Sequence, residues 1–405
     1  MLTYKYTARD PSTGQKVSAD LQADSEKVAA KLLRDQNLVP ISLELKDQGS
    51  SIFGKFGNRI KAKDKILFSR QLSTLINAGL PLLQSLRTVA DQTQSKNFKV
   101  IINEVISSVE GGSALSAALA KHPTAFNSIY ISLIEAGEAS GTLDKALERL
   151  AMQQEKDAEI LSKVRGAMVY PAIVLAVMGV VVGFMLVKVL PQVKTLYEGF
   201  GDVQLPIVTR MLLALSDFVV TKWFIVLAIL IVGIFLTRRW IRTVGGRAVF
   251  DKAKMRMPPF GPLFMKLYMA RFARTGTTLV ASGVPLIQML EITASSINNV
   301  HVEASLRSAI EKVKGGRALS DSIEGDPNFL ELVPDMLRIG EQSGAIEQML
   351  DKTADYYEKE VDNQIKAIST IIEPVLMVIL GIFAFTIVAA VLLPIYGLAG
   401  QDVIK

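Results

Sequence analysis

An internal duplication limits the possible folds of this 405-residue chain more than any other feature. Three short motifs occur twice in the same order, and each second occurrence follows the first by 203 or 204 residues. The pairs are FSRQLSTLINAGLPLLQSL (68–86) with FARTGTTLVASGVPLIQML (272–290), VEGGSALS (109–116) with VKGGRALS (313–320), and LIEAGEASGTL (133–143) with MLRIGEQSGAI (336–346). Self-similarity at a fixed period predicts one structural unit that is built twice.

Within each copy, the sequence predicts helices separated by glycine and proline. Apolar residues recur at the i, i+3, i+4 spacing of an amphipathic helix, as between Ile66 and Ile76. Glycine favours helix ends and proline favours helix starts. The breaks are predicted at Gly79, Pro81, Gly111, Gly112, Gly137 and Gly141, and again at Gly283, Pro285, Gly315, Gly316, Gly340 and Gly344. Each copy, over 63–166 and 266–370, is thus expected to form a bundle of about six helices whose last helix is long.

Three apolar segments are long enough to cross a membrane as helices, namely 167–190, 218–237 and 371–396. A bilayer core needs roughly 20 apolar residues in a helix. The mean hydropathy of +0.32 also favours a membrane component. The alternative, a soluble core, would have to bury all three runs.

Four prolines extend the duplication into the first and third of these segments. Pro171 matches Pro374 and Pro191 matches Pro394, whereas the second segment has no counterpart. The second segment would return the chain to its starting side, so that both copies have the same orientation. The first proline of each pair is expected either to shape a helix bundle or to be a simple entry kink.

Basic residues flank the three segments unevenly. Nine lie on one side, Lys156, Lys163, Arg165, Arg238, Arg239, Arg242, Arg247, Lys359 and Lys366, against five on the other, Lys188, Lys194, Arg210, Lys222 and Lys405. The positive-inside rule then predicts a multi-pass membrane protein with its N-terminus and residues 238–370 in the cytoplasm. The loop 191–217 and the tail 397–405 would lie outside, and 238–265 would be a juxtamembrane connection. Residues 1–16 contain no apolar run, so no cleavable signal peptide is expected.

Residues 1–45 are expected to form a small α+β module. LTYKYTA, QKVSADLQA and VPISLEL alternate as strands do, and DSEKVAAKLLRDQ has the pattern of a helix. Residues 46–62 are rich in glycine, serine and lysine and are expected to be a linker. Four apolar side chains leave contact with a membrane surface as the alternative: Ile52, Phe53, Phe56 and Ile60.

The composition excludes several kinds of chemistry. The chain has no cysteine and only two histidines, His122 and His301, which are not spaced as metal ligands. No P-loop or EF-hand pattern occurs, and the acidic stretches are expected to be solvated helix faces rather than calcium or magnesium sites. The net charge of +6, without an arginine-rich helix, indicates a membrane surface rather than nucleic acid. We therefore expect neither a cofactor nor a metal.

The Gly-Glu-x-Ser-Gly corner is expected to be structural rather than catalytic. A serine nucleophile needs a base, and no histidine lies near either copy. Gly137 and Gly340 would let a helix end or approach a neighbour closely, and Ser140 and Ser343 are expected to act as caps. Asp144 and Glu347 would stabilise the first turn of the next helix. For Glu138 and Glu341, two hypotheses stay open: fixing the corner, or contacting a partner.

Taken together, these motifs resemble those of the type II secretion F protein and type IV pilus inner-membrane platform family. The resemblance covers roughly 63–400 and depends on the duplicated AGLPL/SGVPL and GEASG/GEQSG motifs, the Tyr-Pro and Glu-Pro pairs, and the order of domains and spans. It implies an all-α integral membrane protein with two cytoplasmic six-helix bundles and three transmembrane helices.

The resemblance also implies a function and a set of partners. Members of the family form a non-enzymatic, oligomeric platform around which a pilus or pseudopilus is assembled. The implied partners are a cytoplasmic assembly or retraction ATPase, major and minor pilins or pseudopilins, other inner-membrane assembly proteins, and membrane lipids. The sequence favours the pilus branch slightly over secretion, on the outer segment LPIVTRMLLALSDF.

Two other classes of protein fit the sequence less well. A transporter or channel would place charged residues near the middle of several spans, and these spans have almost none. A membrane-tethered sensor would need a catalytic or ligand-binding domain. The long helices over 142–190 and 345–396 suggest instead a lever that carries a cytoplasmic movement to the membrane.

Overall fold

The computed structural model describes residues 2–9, 16–23, 32–33, 35, 38–45, 60–192, 195 and 207–402. The chain divides into two compact units, Met1–Lys61 and Ala62–Lys405.

The first unit contains a three-stranded antiparallel sheet. Strands β1 (Leu2–Arg9), β2 (Lys16–Ala23) and β3 (Val39–Leu45) occur in the order β2-β1-β3. The three predicted strands are therefore present. Ala8 and Leu33 are buried together on this sheet. Most of the helix predicted over 24–36, and most of the predicted linker over 46–62, lie outside the described residues.

The second unit begins with six helices that form repeat one. They are α1 (Ala62–Asn77), α2 (Leu82–Gln92), α3 (Lys96–Glu110), α4 (Leu115–Ala120), α5 (Ser128–Ser140) and α6 (Leu143–Phe184). Aromatic side chains fill their core, where Phe68 packs edge-on to Phe98 and beside Phe126. Burial of such large side chains is the main source of stability for short helices.

A second set of six helices forms repeat two. They are α10 (Phe260–Ala281), α11 (Leu286–Ser296), α12 (Val300–Lys314), α13 (Leu319–Ile323), α14 (Leu332–Ser343) and α15 (Ile346–Asp402). The order of the helices follows repeat one, as the duplication predicts, and the four middle helices agree in length to within one residue. Helix α10 begins six residues before the predicted boundary at residue 266, because it continues back to the Pro258–Pro259 turn.

Between the repeats lie a π-helical segment (Met185–Val189) and helices α7 (Ile207–Thr221), α8 (Trp223–Ile241) and α9 (Val244–Arg256). The structure adds detail to three of the predicted segments. The predicted loop 191–217 contains most of α7, and the predicted segment 218–237 is divided by a break at Lys222. The predicted connection 238–265 contains α9, which packs against repeat two. Apolar residues lie on both sides of Lys222, so a hydropathy pattern alone does not reveal this break between two helices.

Two described helices, over Leu143–Gln192 and Ile346–Thr386, are long and apolar enough to cross a membrane. Their most apolar windows are only 6% and 11% buried. Both helices continue through their prolines, Pro171 and Pro374, and α15 also continues through Pro394. Contiguous apolar surface of this extent is characteristic of contact with lipid or with another protein.

Candidate functional site

The corner between α5 and α6 brings two helix backbones into close contact. A Cβ atom at Gly137 would lie 2.7 Å from Cβ of Ala146 in α6. At the equivalent corner of repeat two, a Cβ atom at Gly340 would lie 2.9 Å from Cα of Ile346 in α15. The sequence leaves two roles open for these glycines, ending a helix or approaching a neighbouring helix closely. The observed geometry is that of close approach.

The helix end belongs instead to the second glycine of each motif. Gly141 and Gly344 terminate α5 and α14 with φ angles of +70° and +69°, a left-handed conformation that glycine adopts without strain. Ser140 and Ser343 differ from the expected caps. Their hydroxyls donate to the carbonyl oxygens four residues earlier, at 2.7 Å in both repeats, and so lie within the last helical turn.

The glutamate after the first glycine binds a different helix of the same bundle. In repeat one, the backbone N–H groups of Leu115 and Ser116 and the Ser116 hydroxyl donate to the Glu138 carboxylate, the Ser116 N–H at 2.9 Å. These groups form the N-terminus of α4, where N–H groups without a partner inside the helix, together with the helix dipole, favour a carboxylate.

Glu341 repeats this arrangement in repeat two. Its carboxylate accepts from the N–H groups of Leu319 and Ser320 and from the Ser320 hydroxyl. The glutamate therefore joins the GEASG corner to the GGSALS motif in repeat one and the GEQSG corner to the GGRALS motif in repeat two. Both carboxylate oxygens are used inside the bundle, so the geometry supports the corner hypothesis for Glu138 and Glu341 and gives no support to partner contact.

The remaining repeated glycines and prolines occupy equivalent places in the two bundles. Positive φ angles recur at Gly79 and Gly283 and at Gly112 and Gly316, while Gly111 and Gly315 terminate the preceding helices. Pro81 and Pro285 immediately precede α2 and α11. Pro171 is buried in α6, and Pro191 lies in the helical turn after the π-helical segment. Asp144 and Glu347 lie in the first turns of α6 and α15.

An arginine–glutamate pair links the first helix of each bundle to the long last helix. In repeat one, the Arg70 Nε atom donates to Glu155 at 2.7 Å. In repeat two, the Arg274 Nε atom donates to Glu358 at 2.7 Å. This hydrogen bond lowers the pKa of Glu155. The sequence reasoning missed these pairs, although both residues recur at the offsets of the duplication.

Repeat two surrounds its arginine with two further acids. The Arg274 guanidinium also contacts Asp351 at 2.7 Å and Asp355 at 2.6 Å. Burial opposes the charge of Arg274, but the bonds to Glu358 and Asp355 outweigh it and raise the pKa. The long helix α15 is therefore held to its bundle by a more extensive charge network than α6.

The long helices α6 and α15 contact each other between their corners and their apolar segments. Ile160 of α6, Leu263 of α10 and Val361 and Ile365 of α15 form one buried apolar cluster. Beside it, the Lys163 ammonium of α6 contacts Asp362 of α15 at 2.5 Å. The hydrogen bonds to Asp362 and Glu159 raise the pKa of Lys163, so this lysine is charged at neutral pH. The junction lies a few residues before the apolar part of each long helix.

The structure thus contains a helical unit that occurs twice, each time with the same corner. Two regions of the chain, one in each repeat, match the same protein family. Residues 68–191 and 272–394 each match the family described as type II secretion system (T2SS) protein F, and residues 1–44 match its N-terminal domain. The chain belongs to the type II secretion system protein F family. Each match includes a complete corner and the long helix that follows it.

Relatives of this F-family chain occur in two kinds of machine. The type IV pilus assembly protein PilC of Thermus thermophilus is 39% identical over 409 residues, which cover 99% of both chains. TapC of Aeromonas hydrophila, also a type IV pilus assembly protein, is 35% identical and covers 95% of this chain and 93% of its own. The type II secretion system protein F of Pseudomonas aeruginosa is 33% identical over 98% of this chain and 99% of its own.

The described part of this F-family chain contains no group of three or more histidine, aspartate or glutamate residues arranged to hold a metal ion. The histidines have other contacts: His122 lies 3.4 Å from Glu104, and a His301 ring nitrogen lies 2.9 Å from the carbonyl oxygen of Ala248. The candidate site is centred on the corners and on the junction of the long helices.

Proposed function

We propose that this protein is the inner-membrane platform of a type IV pilus machine, coupling a cytoplasmic ATPase to the insertion of pilins into the pilus or their removal from it. The observation that carries the proposal is the pair of long helices. Each begins at a corner that is clamped to its bundle and continues without interruption into an apolar segment. A movement imposed on a bundle would therefore reach the membrane along a stiff helix.

The proposed topology has three transmembrane helices. The apolar parts of α6 and α15 would be the first and third, and α8, with 19 residues, would be the second. Exposed Phe224, Leu230 and Phe235 on α8 are consistent with lipid contact. The basic flanks favour a cytoplasmic N-terminus and two cytoplasmic bundles, with α7 and the C-terminus outside. The domain boundaries predicted from the sequence are kept in this proposal, except that the second span becomes α8, with α7 before it and α9 after it.

The partners proposed follow from the relatives in pilus and secretion machines. They are an assembly or retraction ATPase on the bundles, pilins beside the spans, other inner-membrane assembly proteins, and further copies of this chain. The protein would act by transmitting movement, without an enzymatic activity of its own. The second candidate is the platform of a type II secretion system. The pilus branch is favoured by 39% identity to the Thermus protein against 33% for the Pseudomonas secretion protein.

Helix continuity near the junction provides the test. Gly166→Pro would remove a backbone hydrogen bond in α6 and introduce a ring that clashes with the preceding turn. We expect Gly166→Pro to abolish piliation while the protein still inserts into the membrane and binds its ATPase. Gly166→Ala is the matched control, since a Cβ atom at this position meets nothing within 4 Å. Normal piliation in the proline variant would disprove the lever.

Deletion of the gene separates the two branches. Loss of surface pili with normal secretion of exoproteins is expected for a pilus platform. Loss of exoprotein secretion with normal pili would instead identify the secretion platform. Co-purification of the ATPase with the full-length chain, measured in the same strain, tests the proposed partner.

A further inference from the structure

The segment that joins α8 to repeat two concentrates positive charge. Residues 238–256 contain seven lysines and arginines and one acid, Asp251, giving a net charge of +6. The net charge of all 405 residues is also +6. The charge lies next to an apolar helix of 19 residues, since only Arg242 and Thr243 separate α8 from α9.

Helix α9 is held firmly, so its exposed face has a fixed direction relative to repeat two. The Asp251 side chain is 4% exposed, accepts from the Val300 N–H at 3.2 Å and contacts Lys254 at 3.3 Å. At its start, the Thr243 hydroxyl accepts from the Gly246 N–H at 3.1 Å. The single acid of the segment is thus turned inward and neutralised.

The opposite face of α9 is both basic and apolar. Val249, Lys252, Ala253 and Arg256 are exposed and follow the i, i+3, i+4, i+7 spacing of one helix face. Val244, in the first turn of α9, lies outside this face and is 87% exposed. Arginine and lysine beside exposed apolar side chains are typical of helices that lie on anionic membranes.

Trp240 adds an interfacial anchor at the end of α8. Its side chain is 49% exposed, and tryptophan is enriched at the boundary between hydrocarbon and headgroups. An acidic protein surface would pair with the basic side chains of this segment. It would not explain why a tryptophan and two valines are exposed beside an apolar helix. The arrangement therefore favours a lipid surface.

We propose that Arg242 and the outward face of α9, with Lys252 and Arg256, bind the headgroups of anionic phospholipids in the leaflet where α8 ends. The proposal rests on the membrane topology given above. Binding at this point would hold repeat two at a set distance from the bilayer, since α9 packs on repeat two and α10 follows directly.

Trp240 also provides the measurement. The chain has two tryptophans, so Trp223→Phe leaves Trp240 as the only one. The full-length Trp223→Phe protein is reconstituted into phosphatidylcholine vesicles that contain brominated phosphatidylglycerol or, in a matched set, brominated phosphatidylcholine. We expect preferential quenching by the anionic lipid, with a relative affinity of about five-fold or more that falls at high salt.

Two triple variants test the residues. Arg242→Gln, Lys252→Gln and Arg256→Gln together should abolish the preference for phosphatidylglycerol. The control removes three exposed charges elsewhere, with Lys96→Gln, Lys145→Gln and Arg317→Gln, and should keep the preference. Both proteins have the same net charge, so only the position of the lost charges differs.

The outcomes separate this proposal from the topology beneath it. Equal quenching by the two brominated lipids would overturn the lipid site and leave the topology intact. A preference that survives in the first triple variant would overturn the assignment to this face. The absence of quenching by either lipid would overturn both, because the end of α8 would then lie outside the bilayer.

Discussion

Phe68 and Phe272 occupy equivalent positions in the two repeats, yet different side chains surround them. In repeat one, the Phe68 ring centroid lies 5.4 Å from that of Phe98 and 5.9 Å from that of Phe126. In repeat two, Phe272 packs edge-on to Phe329 at 5.5 Å. Phe329 corresponds to Phe126, so one aromatic pair persists, whereas the buried Val302 stands where repeat one has Phe98.

Two residues that contact each other in repeat one have both been replaced in repeat two. In repeat one, the Ser69 hydroxyl donates to the buried Tyr130 hydroxyl at 3.2 Å. The equivalent residues in repeat two are Ala273 and Val333, both fully buried. A hydrogen-bonded pair has thus been exchanged for an apolar pair, which avoids a buried polar group without a partner. Side chains that pack against each other inside a bundle can change as a pair. The glycines and glutamates of the corner fix backbone positions, and they are the same in both repeats.

The absence of cysteine allows each repeat to be measured separately in the full-length protein. Ala90 and Ala294 are equivalent buried positions, 2% and 0% exposed. A single cysteine placed at either site would react with a thiol reagent only when that repeat opens. Pulsed labelling then gives the opening free energy of the chosen repeat, which is the quantity that the predictions below refer to.

The largest effect is expected for Tyr130→Val, which gives repeat one the side chain found in repeat two. The surroundings of Tyr130 have not changed to match, so the substitution leaves a cavity. We expect the opening free energy of repeat one to fall by about 3 kcal/mol, with little change in repeat two. Tyr130→Phe, which keeps the ring, should cost about 1 kcal/mol. Equal losses in both variants would mean that the hydroxyl, rather than the ring, stabilises the core.

Glu138→Ala and Glu341→Ala should each cost about 1–2 kcal/mol in their own repeat, because each leaves two N–H groups of a short helix without their acceptor. Glu138→Gln and Glu341→Gln, which retain an acceptor, should cost less. The two repeats are expected to respond equally here, in contrast to the first prediction. If the alanine variants open normally but fail to bind the ATPase, the glutamates serve a partner after all.

The arginine pairs should give the smallest effects, and these should differ between the two repeats. Arg274→Met leaves Asp351, Asp355 and Glu358 facing one another, and we expect a loss of about 1 kcal/mol in repeat two. Arg70→Met should cost under about 0.5 kcal/mol, because its pair with Glu155 is well exposed to solvent and screened.

The Arg70 effect should depend on pH in one direction. Because the Arg70 hydrogen bond lowers the pKa of Glu155, its stabilising contribution is fully present above the unfolded pKa of about 4.3 and is lost as the pH falls from there through the lower folded pKa. The difference in opening free energy between Arg70→Met and the unsubstituted protein should therefore disappear at pH values below the folded pKa of Glu155. A difference that persists there would indicate packing of the arginine side chain rather than charge.

Local chemistry explains what the sequence could predict. Glycines with positive φ and prolines before helices mark the boundaries of both bundles, because each acts on its own backbone. The capping of α4 by Glu138 could not be predicted in this way, since the two are 23 residues apart and meet only when α4 packs on α5. The same limit applies to α7, whose apolar residues merge with those of α8 in a hydropathy pattern.

The internal duplication carries information about ion pairs that the hydropathy pattern does not. Arg70 and Glu155 recur as Arg274 and Glu358 at the same offsets as the corner motifs. A search for opposite charges that recur together identifies both pairs from the amino-acid sequence alone. Such a search does not find Lys163 and Asp362, because that contact joins one repeat to the other.

The length of α15 has a simple mechanical consequence. Ile346–Asp402 comprises 57 residues, or about 85 Å at 1.5 Å per residue, and the apolar segment begins about 40 Å from the corner. If the helix pivots at the corner as a rigid rod, a tilt of about 5° displaces its far end by about 7 Å, more than the ~5.4 Å pitch of one helical turn. A slight rocking of one bundle would therefore move the far end of the helix sideways by more than the length of one helical turn.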